Sequence, residues 1–369
     1  MKVLVTGACG LVGREVVVKL RESGHEVIAS DLGETSPDEF CELGIEYRPA
    51  DITDFDQFRR VLNHVEALIH CAAIFDLGAP RELLDKVNVA GTEIVCSASV
   101  EAGVQRLILV STVGVYGRQK DVPIFEDAPK NPHNNYERSK WLSEQTAFRH
   151  HSQSGLRVSA LRPTLVYGPR AAYGLAMFAT LMSVIRIASP IKGFPVVDGG
   201  PLTHLVHVED VARATVFLLS HDDAIGQSFN VADHAPVRLE NAFDVFIKRF
   251  GLKRYGTLPY IPAVWKPLIM SLGSLPGFAA TPLNGIMKKT WRKLIDKGDI
   301  VDVLKPRFDF DWVGYGDRDF VYSTEKLQSA GFVFKHPNFF VGFEKTMDWY
   351  MDNRWIPDFR QGELSKTLR

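Results

Sequence analysis

The first half of the chain alternates short β-branched runs with longer stretches whose apolar residues recur at helical spacing. Lys2–Thr6, Glu26–Ser30, Ala67–Ile69, Arg106–Ser111 and Arg157–Arg162 read as strands, and Ala67–Ile69 is apolar throughout, as a strand buried on both faces must be. Between them Leu11–Ser23, Phe55–Asn63, Leu83–Glu101 and Tyr136–Ser154 carry a helical period, and Pro37–Leu43 reads as a short helix. Strand and helix in alternation predict an α/β fold, a parallel sheet covered on both faces; right-handed crossovers make it doubly wound. Past Gly168-Pro169, glycine and proline become frequent and Ala171–Pro201 shows no strand alternation. Leu205–Val208 and Phe229–Val231 are short apolar runs expected to return to the sheet. From about residue 236 onward a smaller, mostly helical C-terminal lobe is expected, of the kind that shapes a substrate cleft. The predicted division is a first domain over 1–170 rejoined by 203–235, a lobe over 171–202 and 236–355, and a tail over 356–369.

Within the lobe, Tyr260–Lys289 is apolar, punctuated by prolines, and followed by Arg292 and Lys293. It fits either a buried helical pair or an apolar lid that touches a membrane. Composition adds exclusions. Lysine and arginine total 43 against 44 acidic residues, which removes the electrostatic case for a nucleic-acid partner. Cys9, Cys41, Cys71 and Cys96 form no CxxC pair and no His/Cys metal spacing, so no metal site is expected and the thiols are expected to be reduced. Met1 runs into a strand and not a leader, and no apolar run is long enough to span a bilayer. These features imply a cytoplasmic protein, with peripheral membrane contact through 260–293 as a further expectation.

Gly7, Gly10 and Gly13 lie between the first strand and the first helix. Glycines let a backbone turn tightly and approach a pyrophosphate, which a helix N-terminus then attracts. Asp31 ends the second strand, where an acid grips adenosine ribose hydroxyls and repels a ribose phosphate; NAD is expected over NADP. His70, at the end of a buried strand, reads as a packing residue. Tyr136 and Lys140, four apart, share one helix face. A phenol ordinarily loses its proton near pKa ~10, and a neighbouring ammonium with a cationic nicotinamide favours phenolate, making the tyrosine a general base. Ser111-Thr112 ends a strand, and a hydroxyl there can orient a substrate oxygen toward Tyr136.

The segments TGACGLVG (Thr6–Gly13), Asp31, Asp51-Ile52, HCAA (70–73), NVAGT (Asn88–Thr92), STVGVYG (Ser111–Gly117), YERSK (136–140), RPTLVYGP (Arg162–Pro169) and HLVHVEDVA (His204–Ala212) stand in one order. In this the chain resembles the extended short-chain dehydrogenases, the NAD-dependent epimerase/dehydratase family, over roughly its first 235 residues. The resemblance implies a Rossmann fold and a catalytic Thr112, Tyr136 and Lys140, Thr112 being chosen over Ser111 because it lies four residues before Tyr116. It implies cofactor contacts at Gly7, Cys9, Gly10, Leu11, Val12 and Gly13. Further contacts fall at Asp31, Asp51, Ile52, Cys71, Ala72, Ala73, Asn88 and Pro163, besides Tyr136 and Lys140. Substrate contacts are implied at Phe75, Val113, Thr164 and Leu165. A homodimer is common in the family.

Departures narrow the substrate. Val113 and Gly114 stand where sugar dehydratases of the family carry an Asp-Glu pair. Leu165 replaces the asparagine that holds a nucleotide-sugar diphosphate, and Thr203-His204 replace an Arg-Asp pair. Arg-Pro before YGP and a greasy lobe look more like the 3β-hydroxysteroid dehydrogenase branch, which includes sterol C4-decarboxylating enzymes. The first reading is therefore an oxidoreductase for a secondary alcohol or ketone of a hydrophobic substrate, with a 3β-hydroxysterol as one example. The second is a nucleotide-sugar epimerase with tightly held NAD, and the third a non-catalytic cofactor-binding scaffold. Asp210 is expected to cap a helix, Arg162 to support the sheet edge, and Glu126 to be either a substrate neighbour or a solvated loop acid.

Overall fold

Val3, Leu4 and Val5 are apolar on both sides of strand β1 (Lys2–Thr6), and all three are fully buried; only a sheet covered on both faces accommodates such a strand. The computed structural model describes residues 1–275, 277–308 and 316–360. It falls into two units: Met1–Thr164 with Val208–Ala232 and Tyr322–Lys335, and Leu165–His207 with Asp233–Val321 and the chain from His336 onward.

The first unit runs β1, α1 (Leu11–Glu22), β2 (Glu26–Ser30), α2 (Asp38–Glu42), β3 (Glu46–Tyr47), α3 (Phe55–Val61), β4 (Ala67–His70), α4 (Arg81–Leu84), α5 (Gly91–Ala102), β5 (Arg106–Val110), α6 (Asn135–Ser154) and β6 (Arg157–Pro163). The strand Ser228–Val231 joins as the outermost of seven, in the order Ser228–Val231, β6, β5, β4, β1, β2, β3. Every pairing is parallel. Strand order reverses between β1 and β4, and the register sets Thr6 beside both Ser30 and His70. In an open sheet of this kind the crevice beyond such strand ends is where a ligand sits. On one face α3, α5 and α6 pack side by side over Leu68, Leu107 and Val158. α1 packs with the helix Val208–Leu219, where Lys19 meets Glu209 at 2.9 Å.

Four differences from the sequence reading have local causes. The expected helix Leu83–Glu101 is broken by a wide π turn over Asp85–Ala90 that carries Asn88; such turns insert one residue and re-aim a side chain. The segment Ala171–Pro201 holds a helix, Leu175–Ala188, and a strand, Gly193–Asp198. Leu205–His207 does not rejoin the large sheet; it pairs with Leu165–Tyr167. Tyr322–Lys335, expected in the lobe, belongs to the first unit, because Ser323 N–H donates to the Ile124 carbonyl (2.9 Å) and Lys326 Nζ to the Ser228 carbonyl (2.9 Å).

The second unit is helical around a core that includes Trp291, Phe246, Phe343 and Tyr350, and it also carries short two-stranded sheets. Its helix Pro262–Gly273 contradicts the buried-pair reading of Tyr260–Lys289: none of its described residues is buried. The following helix, Thr281–Asp296, does bury one face through Met287, Trp291 and Leu294. Among the described residues no helix is long and apolar enough to cross a membrane. Residues 361–369 of the expected tail lie outside the described residues.

Candidate active site

The loop after β1 turns at Gly7, whose φ is +64°. A Cβ there would stand 2.7 Å from the Ala72 backbone, and one at Gly13 would stand 2.1 Å from the Gly7 carbonyl oxygen. Both positions exclude any side chain, so the β1 and β4 loops touch and α1 starts directly beneath them. The N-cap of α1 is Gly10, with no capping side chain and no acid in the first turn. The first N–H groups, at Leu11 and Val12, have no carbonyl partner within the helix, and together they favour an anion. Asp31, at the end of β2, accepts from Cys9 N–H (2.9 Å) and Leu32 N–H (2.8 Å). Ala50 N–H donates to the Asp31 carbonyl (2.9 Å), which draws the Asp51-Ile52 loop alongside. Asp51 accepts from Thr53 N–H (2.8 Å), and Ile52 is buried against Gly91, so it offers only backbone. The loop after β4 is small-sided at Cys71, Ala72 and Ala73. These features fit a dinucleotide: a side-chain-free cradle for the pyrophosphate and an acid at the ribose.

Behind the cradle, His70 Nδ1 lies 2.8 Å from Thr6 Oγ1 and its Nε2 3.2 Å from Thr92 Oγ1. Burial pushes its pKa down to about 3, so it is a neutral packing residue, as its strand-end position suggested. Burial also pushes the Cys71 thiol up to about 12, and all four cysteines are free.

Tyr136 lies in the first turn of α6. The Asn134 side chain accepts from Glu137 N–H (2.9 Å), and the Glu137 carboxylate accepts from His133 N–H (2.6 Å); this reciprocal cap pins the turn that presents the phenol. Thr112 ends the strand side of the site, its hydroxyl accepting from Gly114 N–H at 3.1 Å. A Cβ on Gly114 would lie 2.8 Å from Glu137 Cγ, so an acid at 114 would need Glu137 to move. Burial drives the Tyr136 pKa well above the usual phenol range, Glu137 adds to this, and a hydrogen bond with Thr112 opposes it. Lys140, one turn on, is buried and donates to the Val110 carbonyl (2.8 Å). Burial lowers its pKa to about 8, against the carboxylate of Glu144 and the thiol of Cys71.

Asn88, read as a cofactor contact, spends its side chain otherwise. Its amide accepts from Ile74 N–H (2.8 Å) and donates to the Ile74 carbonyl (3.1 Å) and to Ser139 Oγ (2.9 Å). It thus ties the loop after β4 to α6. Phe75, on that loop, sets its ring edge-on to Tyr136 with centroids 4.9 Å apart, while remaining 45% exposed. Of the other residues read as substrate or cofactor contacts, Val113 and Thr164 are buried, Thr164 Oγ1 has no partner, and Pro163 ends β6. Leu165 belongs to the second unit, where it packs over Gly174.

One group of residues was missed in its full extent. Arg162 grips Glu144 through three contacts of 2.7–3.2 Å and donates to the Tyr116 hydroxyl (2.7 Å), which donates to Asn230 (2.7 Å). The spacing of Lys140 and Glu144 was a usable signal, since i and i+4 share a face. Arg162 does support the sheet edge. Glu126 is a half-buried loop acid that accepts from Asn230 N–H (2.9 Å). Asp210 lies in the first turn of its helix and accepts from Arg213 (2.7 Å) and Lys335 N–H (2.8 Å).

The profile of the NAD dependent epimerase/dehydratase family matches residues 3–232, more than half the chain. Among individual relatives, a 4-hydroxy-2-methyl-3-oxo-4-farnesyl-3,4-dihydroquinoline-1-oxide ketoreductase of Stigmatella aurantiaca is 27% identical over 80% of this chain and 82% of its own. A decarboxylating sterol-4-alpha-carboxylate 3-dehydrogenase of Bos taurus is 28% identical over 63% of this chain and 65% of its own. Proteins named UDP-glucose 4-epimerase stand at 28–32% identity. The fold is that of the Thermus thermophilus UDP-glucose 4-epimerase solved with NAD, at a TM-score of 0.67 and 22% identity, over 95% of this chain and 99% of that one. The chain therefore belongs to the NAD dependent epimerase/dehydratase family, a family of oxidoreductase chemistry, and its cofactor is NAD.

Proposed function

We propose that this protein interconverts a secondary alcohol and a ketone on a large hydrophobic substrate, such as a 3β-hydroxysterol. The observation that carries the reading is Phe75: an exposed apolar ring set against the edge of the Tyr136 phenol. A substrate reaching that phenol meets hydrocarbon, which favours an apolar ring system over a polar sugar. Val113 and Gly114 stand where sugar dehydratases of the family carry an acid pair, which speaks against expulsion of a sugar hydroxyl. The names of the ketoreductase and the sterol dehydrogenase point the same way.

NAD, when bound, supplies the acceptor for a hydride. Tyr136 takes the proton of the substrate hydroxyl as the C–O bond becomes a carbonyl and the carbinol hydrogen leaves with its electron pair. Thr112 holds the substrate oxygen. Lys140, four residues on and on the same helix face, supplies positive charge that would oppose the burial holding the proton on Tyr136. The test is NADH absorbance with purified protein, NAD and a panel of 3β-hydroxysterols, 4-carboxylated ones included, beside Tyr136→Phe. NADH formation that falls about 10²–10⁴-fold in the variant, with NAD binding kept, is the expected result. A flat trace with sterols and with long-chain β-hydroxy acids rejects the reading. The second reading, a nucleotide-sugar epimerase, is favoured by the names of several relatives. It predicts epimer formation from a UDP-sugar with no net NADH.

A further inference from the structure

The helix Pro262–Gly273 is apolar around most of its circumference, with Lys266 the lone charge, and no described residue of it is buried. Val264 is 58% exposed, and Leu268 and Met270 are also exposed. A helix that is apolar all round normally lies inside a protein or a membrane, and an apolar patch of this kind marks an interaction surface. The next α-helix in the chain, Thr281–Asp296, turns Met287, Trp291 and Leu294 inward and leaves Leu283 and Ile286 outside. Its exposed side also carries Lys288, Lys289, Arg292 and Lys293.

Charge selects the occupant. From Tyr255 to Ile295 the chain has no Asp or Glu, while Lys266, Lys288, Lys289, Arg292 and Lys293 are all exposed. The whole protein has a net charge of -1, so these cations are gathered in one acid-free stretch of a near-neutral chain, with Asp317 and Asp319 near Tyr260 as acids that reach it from elsewhere. A second copy docked through the same patch would set cation against cation, since a two-fold interface meets itself. A neutral greasy ligand would need none of the cations. We infer that the helices Pro262–Gly273 and Thr281–Asp296 of the second unit dock on an anionic lipid surface, apolar side chains entering the headgroup boundary and lysines meeting lipid phosphates and carboxylates. Lysine stems can run along the apolar side chains while their ammonium groups reach the headgroups.

The experiment is co-sedimentation of the full chain with phosphatidylcholine vesicles, with and without phosphatidylserine. Binding is expected to the anionic vesicles alone and to weaken as salt rises. Lys288→Gln and Lys289→Gln should each lower the partition coefficient about fivefold, and Val264→Asp with Leu268→Asp should abolish it. All four side chains are exposed, so the variants should keep the wild-type melting curve and NAD binding. No sedimentation with anionic vesicles overturns the inference, as does binding indifferent to Leu268→Asp. A dimer in light scattering that Leu268→Asp dissociates would give the face to a second copy and also overturn it.

Discussion

At the scale of single residues the proposed chemistry turns on two proton affinities that burial moves in opposite directions. Burial raises Tyr136 and lowers Lys140 to about 8, because each resists its charged form. The sign for Lys140 follows: the ammonium is kept below about pH 8 and lost above it. Oxidation should therefore fall above about pH 8 as Lys140 loses its charge. In Lys140→Arg the alkaline fall should vanish, since a guanidinium stays charged; initial rates of NADH formation against pH read this directly. An unchanged alkaline limb would assign that limb to another group. Asp31 makes a separate forecast. Its carboxylate already holds Cys9 and Leu32 N–H, and its removal should weaken NAD binding by about 1.5–3 kcal/mol. Asp31→Ala should narrow the gap between NAD and NADP, measured by fluorescence titration of each.

At the scale of elements, three tethers hold α6 in place. The Asn134–Glu137 cap fixes its first turn, Asn88 joins it to the loop after β4, and Arg162 grips Glu144 from β6. The last is a fully buried ion pair with Glu144 at 0% and Arg162 at 4% exposure. Removing one partner of such a pair leaves an uncompensated charge, at a cost of about 3–5 kcal/mol. Glu144→Gln should lower the urea midpoint accordingly; a change under about 1 kcal/mol would mean that water reaches Arg162. The β1–α1 turn predicts a sharper outcome. At Gly13 an added Cβ would meet the Gly7 carbonyl at 2.1 Å, so Gly13→Ala must displace the turn that cradles the pyrophosphate. Loss of NAD binding with the helical signal in circular dichroism retained is expected.

At the scale of the whole molecule the cofactor binds the native chain and not the unfolded one. NAD at a hundredfold excess over its dissociation constant should then stabilise the fold by about 2.7 kcal/mol. A melting midpoint that climbs with NAD in the wild type and stays put in Gly13→Ala would separate cradle binding from general solvent effects. The even balance of 43 basic and 44 acidic residues hides an uneven distribution, with an acid-free stretch through Tyr255–Ile295. Net charge describes solubility and association, not where charge lies.

The sheet, its helices and the proposed site residues were legible because each rests on local periodicity or short spacing. Strands buried on both faces are apolar throughout, glycine marks a backbone that no side chain can follow, and Tyr136 and Lys140 share a face by helical geometry alone. What stayed hidden depends on partners distant in the chain. The bonds of Asn88 to Ile74 and Ser139, and of Asn230 N–H to Glu126, join residues far apart in the chain. Leu205–His207 has the composition of a core strand, yet its pairing with Leu165–Tyr167 is a matter of chain path. The greasy stretch Tyr260–Lys289 is the clearest case. Its hydrophobicity is a property of the sequence, but burial is a relation between segments, and only the tertiary structure decided that Pro262–Gly273 would face outward.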